Sequence, residues 1–274
     1  MKHNKTLSRS FLLAGVVVSI VWIGPSAHAQ SDTLTIAAAN SVKEALRKIL
    51  PLFEAQHKEI AVRVIYGPSQ SLRKQIEEGA PVDVFLPSLF EEIDQLEKKG
   101  LVINGTKRVY ASTSLVLITG HILPAPITSI EDLRSVPVRR FAIGDPKSSS
   151  VGKVAIQFLK FTKLEPQLKS QYVYGEHSGA VLDLVAKGEA EIGVVYRTDA
   201  VTDKQIRILD TAPADSHTPV RYGVAVVWTA KNLTGAGDFI EFLLSSSIQA
   251  QLKQYGFEPA ILEAGLVQRW EVKP

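Results

Sequence analysis

The chain has 274 residues, of which 31 are basic, 28 acidic, 45% hydrophobic and none cysteine. Without cysteine there is neither a disulfide framework nor an N-terminal cysteine to carry a lipid. So small a basic excess argues against nucleic acid or an anionic membrane surface as partner, because both call for a strongly positive face.

Lys2, Lys5 and Arg9 precede an apolar run from Phe11 to Ile23, followed by Gly24-Pro25-Ser26 and Ala27-His28-Ala29. Charged, apolar and small residues in that order are the layout of a secretory signal peptide, with cleavage expected after Ala29. The run is too short to make a comfortable membrane span, so no membrane insertion of the mature chain is expected. An exported chain with no lipid anchor and no disulfide fits the periplasm of a two-membrane bacterium. The leader holds three of the basic residues and none of the acidic ones, which leaves 28 of each in the mature chain. A net charge of zero means that the ligand is recognised by local geometry.

Leu34 to Ala39 reads as a buried strand that turns at Asn40-Ser41 into a helix. Ser41 and Glu44 have the spacing of a capping box, and Val42, Ala45, Leu46, Ile49, Leu50 and Phe53 recur at helical spacing. Pro51 predicts a kink in that helix. Ile60, Val62, Val64 and Tyr66 alternate as a strand that ends in Gly67-Pro68-Ser69-Gln70-Ser71, before a helix from about Leu72 to Glu78. Val82 to Leu86 is a short strand, and Ser88 begins a third helix that stops near Gly100. Strand and helix alternating at this spacing imply right-handed βαβ units and a mainly parallel sheet.

Val109 to Thr119 reads as one long crossing strand, and Thr128 to Asp132 as the start of another helix. Arg140 to Ile143 is a strand ending in the turn Gly144 to Gly152, and the next helix carries Val151, Val154, Ala155, Phe158 and Leu159 on one face. Tyr172 to Tyr174 leads into Gly175-Glu176-His177-Ser178-Gly179 and a short helix. Ile192 to Tyr196 is a buried strand, Val220 to Trp228 a second long one, and two helices follow near 237–244 and 247–255.

The two long strands divide the mature chain into an α/β fold of two lobes, with the strands as a hinge. Residues 30–111 and 225–274 form lobe I, and residues 112–224 form lobe II. Ligands of open α/β sheets bind at the carboxyl ends of the strands. With two lobes that point is the cleft between them, and hinge closure is the expected motion.

Four turns before helices would face that cleft: Asn40-Ser41, Pro68 to Ser71, Ser148 to Gly152 and Glu176 to Gly179. Each offers hydroxyls and free amides at the positive end of a helix, a setting that suits an anion. Lys147 is the one cation beside them, and Tyr196 adds a phenol at a strand end. Hydrogen bonds to a charged partner are stronger than neutral ones, so several neutral donors can hold a small anion without a counter-charge. If such a pocket lacks an acceptor, a protonated ligand leaves its proton unpaired at roughly 1–3 kcal/mol.

With these residues in hand, the chain resembles the periplasmic molybdate-binding proteins, the soluble receptors of ATP-driven molybdate importers. The likeness covers nearly all of the mature chain. It rests on Leu34 to Leu46, Gln75 to Phe85 with Gly79-Ala80-Pro81-Val82-Asp83, Ala142 to Pro146, Gly193-Val194-Val195-Tyr196-Arg197-Thr198-Asp199-Ala200 and Asp215-Ser216-His217. The resemblance implies a two-lobed periplasmic-binding-protein fold of type II. It also implies molybdate contacts at Ser41 and Ser69 on the first lobe, and on the second at the amides of Val151 and Ser178 and the hydroxyl of Tyr196. Asn40, in place of a usual small residue, adds a donor beside Ser41. Three positions depart from the family: Ser149-Ser150-Val151-Gly152 where Val-Pro-Ala-Gly is frequent, Ser178 where many members are apolar, and Tyr222-Gly223 where Tyr-Pro is frequent.

The implied protein is a monomeric receptor rather than an enzyme. It captures molybdate, and tungstate alongside it, and passes it to a membrane permease, with no cofactor and no protein ligand to the metal itself. Duller readings stand beside this one: Asn40, Ser41 and Ser69 as helix caps, and Tyr196 as a core tyrosine. His177 lacks a second ligand at metal spacing. Other classes remain open. One is a receptor for sulfate or an Fe(III)–anion pair; another is a secreted serine hydrolase using Ser178 with His177 or His217. The adjacent Asp215-Ser216-His217 cannot converge as a triad without a special bend.

Overall fold

From Leu34 onward the first strand is almost wholly apolar and buried, as a strand covered on both faces must be. The computed structural model describes residues 32–120 and 127–259, so the signal peptide and its cleavage site lie outside the described residues. Strand β1 (Asp32–Ala39) leads through a 3-10 turn (Asn40–Val42) into α1 (Lys43–Gln56), β2 (Ile60–Gly67), α2 (Ser69–Glu77), β3 (Val84–Leu86) and α3 (Glu91–Lys98). Then come β4 (Arg108–Thr113), β5 (Leu115–Gly120), a 3-10 turn (Glu131–Arg134), β6 (Phe141–Gly144), α4 (Ser150–Phe161), α5 (Glu165–Leu168) and β7 (Tyr172–Gly175). The remainder is α6 (Ser178–Ala186), β8 (Ile192–Tyr196), α7 (Arg197–Ala200), β9 (Ile206–Thr211), β10 (Val220–Val226), α8 (Leu233–Leu244), α9 (Ser246–Lys253) and β11 (Glu258–Pro259).

The strands make two sheets, ordered β11-β4-β10-β3-β1-β2 and β7-β6-β8-β5-β9. In the first, β1 runs parallel to β2 and β3, while β10 is antiparallel to β3 and β4, and β11 to β4. In the second, β6 is parallel to β7 and β8, while β5 is antiparallel to β8 and β9. Both sheets are therefore mixed, where a mainly parallel pairing was expected. The βαβ units supply the parallel half of each, and strands next to the crossings between sheets run against it.

The stretch expected as one crossing strand is two strands on either side of Ser114, β4 in the first sheet and β5 in the second. The return crossing is the segment between β9 and β10, and β10 pairs only within the first sheet. The expected lobe limits at 111/112 and 224/225 thus fall inside β4 and β10. The turn expected to open a helix at Thr128 yields only the 3-10 turn; α1 continues through Pro51.

One apolar cluster runs through both sheets, from Leu34, Ile36 and Phe53 to Phe141, Ile143 and Phe158, and all the described residues belong to one compact unit. Two smaller clusters, around Phe85 with Ile93 and around Val116 with Val181, cover the opposite faces. Each fully buried Leu, Ile or Phe contributes about 1.5–3 kcal/mol relative to exposure. The register levels the strand ends: Ala39 lies opposite Gly67, and Gly144 opposite Gly175.

Candidate functional site

The level strand ends place three turns of each sheet around one cavity. From the first sheet come Ala39, Asn40 and Ser41 after β1, Gly67, Pro68 and Ser69 after β2, and Ser88 after β3. From the second come Ser149, Ser150 and Val151 after β6, His177 and Ser178 after β7, and Tyr196 at the end of β8. The cavity holds about 240 Å³ of empty space, part of it continuous with solvent.

Except at α6, the helix starts here keep their first amides free of side chains. No side-chain cap closes the 3-10 turn at Asn40, α2 or α4. The expected Ser41–Glu44 capping box does not form: the 3-10 turn moves the start of α1 to Lys43, and Glu44 pairs with Arg47. Close packing holds α4 in position. A Cβ on Gly152 would lie 2.2 Å from the carbonyl oxygen of Gly144, and one on Gly144 would lie 2.6 Å from the amide nitrogen of Gly152. Only glycine at both positions lets the helix start sit on the end of β6.

Hydrogen bonds behind the cavity orient its hydroxyls. Tyr222 Oη donates to Ser41 Oγ at 3.0 Å and lies 3.2 Å from Thr198 Oγ1. A hydroxyl has one hydrogen to give, so with Tyr222 donating to Ser41, the hydrogen of Ser41 is free to turn inward. Ser88 N–H donates to Ser69 Oγ at 3.0 Å, and the two hydroxyls are 3.1 Å apart. Ser178 Oγ accepts from the Tyr196 amide at 3.0 Å, so the hydroxyl, as well as the amide expected to serve, faces this region. Two lining hydroxyls, Ser150 Oγ and Tyr196 Oη, are buried without a hydrogen-bond partner. Tyr196 Oη sits near Ser88 without bonding geometry, and burial, with Tyr222 beside it, holds its phenol well above the ordinary range. It is therefore a donor at any physiological pH.

Among the described residues, the lining carries no lysine or arginine. His177 caps α6, its Nδ1 accepting from Ala180 N–H at 3.2 Å, which puts the hydrogen of the neutral ring on Nε2. Burial lowers its pKa below 6.5; Glu176 and Asp183 oppose this and Lys43 assists it. Behind Ser178, burial raises the carboxyl of Asp199 from 3.8 to about 7 against the Ser178 hydroxyl, and its Oδ2 has no partner. Glu92, also buried, is pushed up by burial and held by Arg73 at 2.7 Å. Across the sheets, Lys153 of α4 meets Glu91 of α3 at 2.7 Å.

All six expected site residues, Asn40, Ser41, Ser69, Val151, Ser178 and Tyr196, thus line one cavity. Ser88, Ser149, Ser150 and His177 line it as well. Ser88, read as a helix start, lies in the turn before α3, and nothing local signals its pairing with Ser69. No cluster of three His, Asp or Glu side chains able to hold a metal occurs among the described residues. In the Asp215-Ser216-His217 run, Ser216 Oγ donates to the Pro213 carbonyl and His217 Nδ1 lies 2.8 Å from the Thr218 carbonyl, so each engages its own turn.

Residues 34–258 match the bacterial extracellular solute-binding proteins, and the chain belongs to that family. A Bacillus subtilis protein provisionally named ABC transporter substrate-binding lipoprotein YvgL is 31% identical over 254 residues, covering 90% of this chain and 97% of its own. The molybdate-binding protein ModA of Haemophilus influenzae is 30% identical over 94% of this chain and 99% of its own, bearing out the resemblance read from the motifs. A sulfate-binding protein of Synechococcus elongatus is 24% identical over 94% of this chain and 83% of its own. The solved periplasmic molybdate-binding protein of Azotobacter vinelandii, 22% identical, superposes with a TM-score of 0.74 over 82% of this chain and 98% of its own, and shares the two-lobed fold.

Proposed function

We propose that this chain is the exported receptor of an ABC importer that captures molybdate, and tungstate alongside it, between its two lobes. The lobes are residues 32–113 with 220–259, and residues 115–211, and the receptor works in the periplasm as a monomer after loss of residues 1–29. Neutral donors hold the dianion: the hydroxyls of Ser41, Ser69 and Tyr196 and the amides of Val151 and Ser178, with Asn40 beside Ser41. The closed receptor then hands its ligand to the membrane permease. No cofactor and no catalytic group take part, and molybdenum enters only as its oxyanion.

One observation carries this reading. Six strand ends converge on a small cavity lined by hydroxyls and uncapped helix starts, with no cationic side chain in it. If no acceptor of the lining turns toward the ion, a fully deprotonated ion is favoured, because a bound proton would go unpaired. The sulfate-binding relative makes sulfate the competing ligand.

A thermal-shift and calorimetry panel of molybdate, tungstate, sulfate and phosphate on the mature protein tests the proposal, since a ligand of the folded state raises the midpoint. Molybdate and tungstate should raise it, with sulfate nearly silent. Ser41→Ala and Ser69→Ala should each weaken molybdate binding by roughly 1–3 kcal/mol, the loss of a donor to a charged group. Equal shifts for all four anions would end the selectivity claim, and parent-like affinity in both variants would end the site assignment.

A further inference from the structure

Ser150 opens α4 and is only 4% exposed, yet its Oγ has no hydrogen-bond partner although it lines the cavity. A buried hydroxyl left unpaired costs folding free energy, and such groups persist where a ligand satisfies them. Ser149, the residue before α4, makes no cap with its side chain, and its Oγ lies toward Gly144. The Gly144–Gly152 contact fixes the first turn of α4, and with it the backbone position of Ser150 beside the cavity.

We propose that Ser150 is a direct oxyanion ligand of this receptor, its hydroxyl donating to the bound ion beside the Val151 amide. The inference rests on the oxyanion reading of the cavity and extends it. The α4 corner then offers a hydroxyl as well as an amide.

Ser150→Ala separates a ligand-facing hydroxyl from a structural one, because the two roles move stability in opposite directions. If the hydroxyl serves only the ligand, Ser150→Ala removes an unpaired buried group. The ligand-free midpoint should then stay level or rise by roughly 2–4 °C. Molybdate affinity by calorimetry should fall about 10- to 100-fold, the size of one hydrogen bond to a charged group. A lowered ligand-free midpoint with parent affinity would overturn the inference, and so would parent affinity alone. Ser150→Thr, which keeps the hydroxyl, should retain more affinity than Ser150→Ala; the reverse order would also overturn it. The parent titration is read first: a parent that binds no anion of the panel brings down the oxyanion reading and this inference together. A parent that binds beside an unaffected Ser150→Ala brings down this inference alone.

Discussion

Asp199 places a buried, unpaired carboxyl oxygen beside the cavity. Its carboxyl lies behind Ser178, with Tyr196 and Tyr222 as its titratable neighbours, both held protonated by burial. An ionised Asp199 opposes a dianion, so binding favours its protonated form and raises its pKa above the free value of about 7. Ligand uptake is then coupled to proton uptake, and affinity should fall as pH rises through 7 and beyond. Calorimetry from pH 6 to 9 reads this, and Asp199→Asn should flatten the profile; a parent profile already flat would show that Asp199 does not sense the ligand. His177, lowered below 6.5, titrates in a separate and more acidic window. Stability has its own sign. Between 3.8 and about 7 the folded chain keeps a proton on Asp199 that the unfolded chain has lost, so this group's contribution declines with rising pH across that window and is level above it.

The helix starts contribute their amides only if their positions are held to a few tenths of an ångström. For α4 that constraint is the approach of Gly152 to β6, where an added Cβ would lie 2.2 Å from the Gly144 oxygen. The contact is backbone on backbone, so nothing flexible can give. Gly152→Ala should push the first turn of α4 off the strand end and carry the Val151 amide with it. The expected outcome is a lower thermal midpoint and a loss of molybdate affinity of at least about tenfold, since displacing one charge-assisted bond costs about 1.5–3 kcal/mol. Retained affinity in a folded Gly152→Ala protein would show that the α4 amides do not reach the ligand.

At the scale of the molecule, contacts join elements of the two sheets. Thr198 of α7 approaches Tyr222 of β10, which in turn bonds Ser41, so a hydroxyl of the second lobe reaches, through Tyr222, a cavity hydroxyl of the first. Lys153 and Glu91 pair across the same divide at 2.7 Å, both more than a third exposed. Exposed pairs contribute about 0–1 kcal/mol and are screened by salt. Lys153→Met should therefore weaken molybdate binding no more than about fivefold, through faster release, with the difference vanishing at about 1 M salt. Stopped-flow release rates at low and high salt measure this. A larger, salt-independent loss would mean that the lysine itself reaches the ion.

Local order along the chain determined a good part of this protein. Alternation in Ile60 to Tyr66, the helical spacing from Val42 to Phe53 and glycine-marked turns each depend on neighbours a few residues away, and they specify strands, helices and the turns between them. The same local order marks the four turns before helices and the phenol at the end of a strand, while the choice of Asn40, Ser41, Ser69, Val151, Ser178 and Tyr196 among them came from the resemblance to the molybdate-binding proteins. Pairing over long separations was decided only by the tertiary structure. The break at Ser114 and the antiparallel place of β10 follow from which edges the crossings meet. Ser88 enters the cavity because β3 lies beside β1, which brings it to Ser69. Tyr222, 181 positions along the chain from Ser41, donates to that hydroxyl, a contact that no local pattern announces. A hydroxyl's bonding and a carboxyl's burial are properties of the packed surroundings, and short-range pattern carries no record of them.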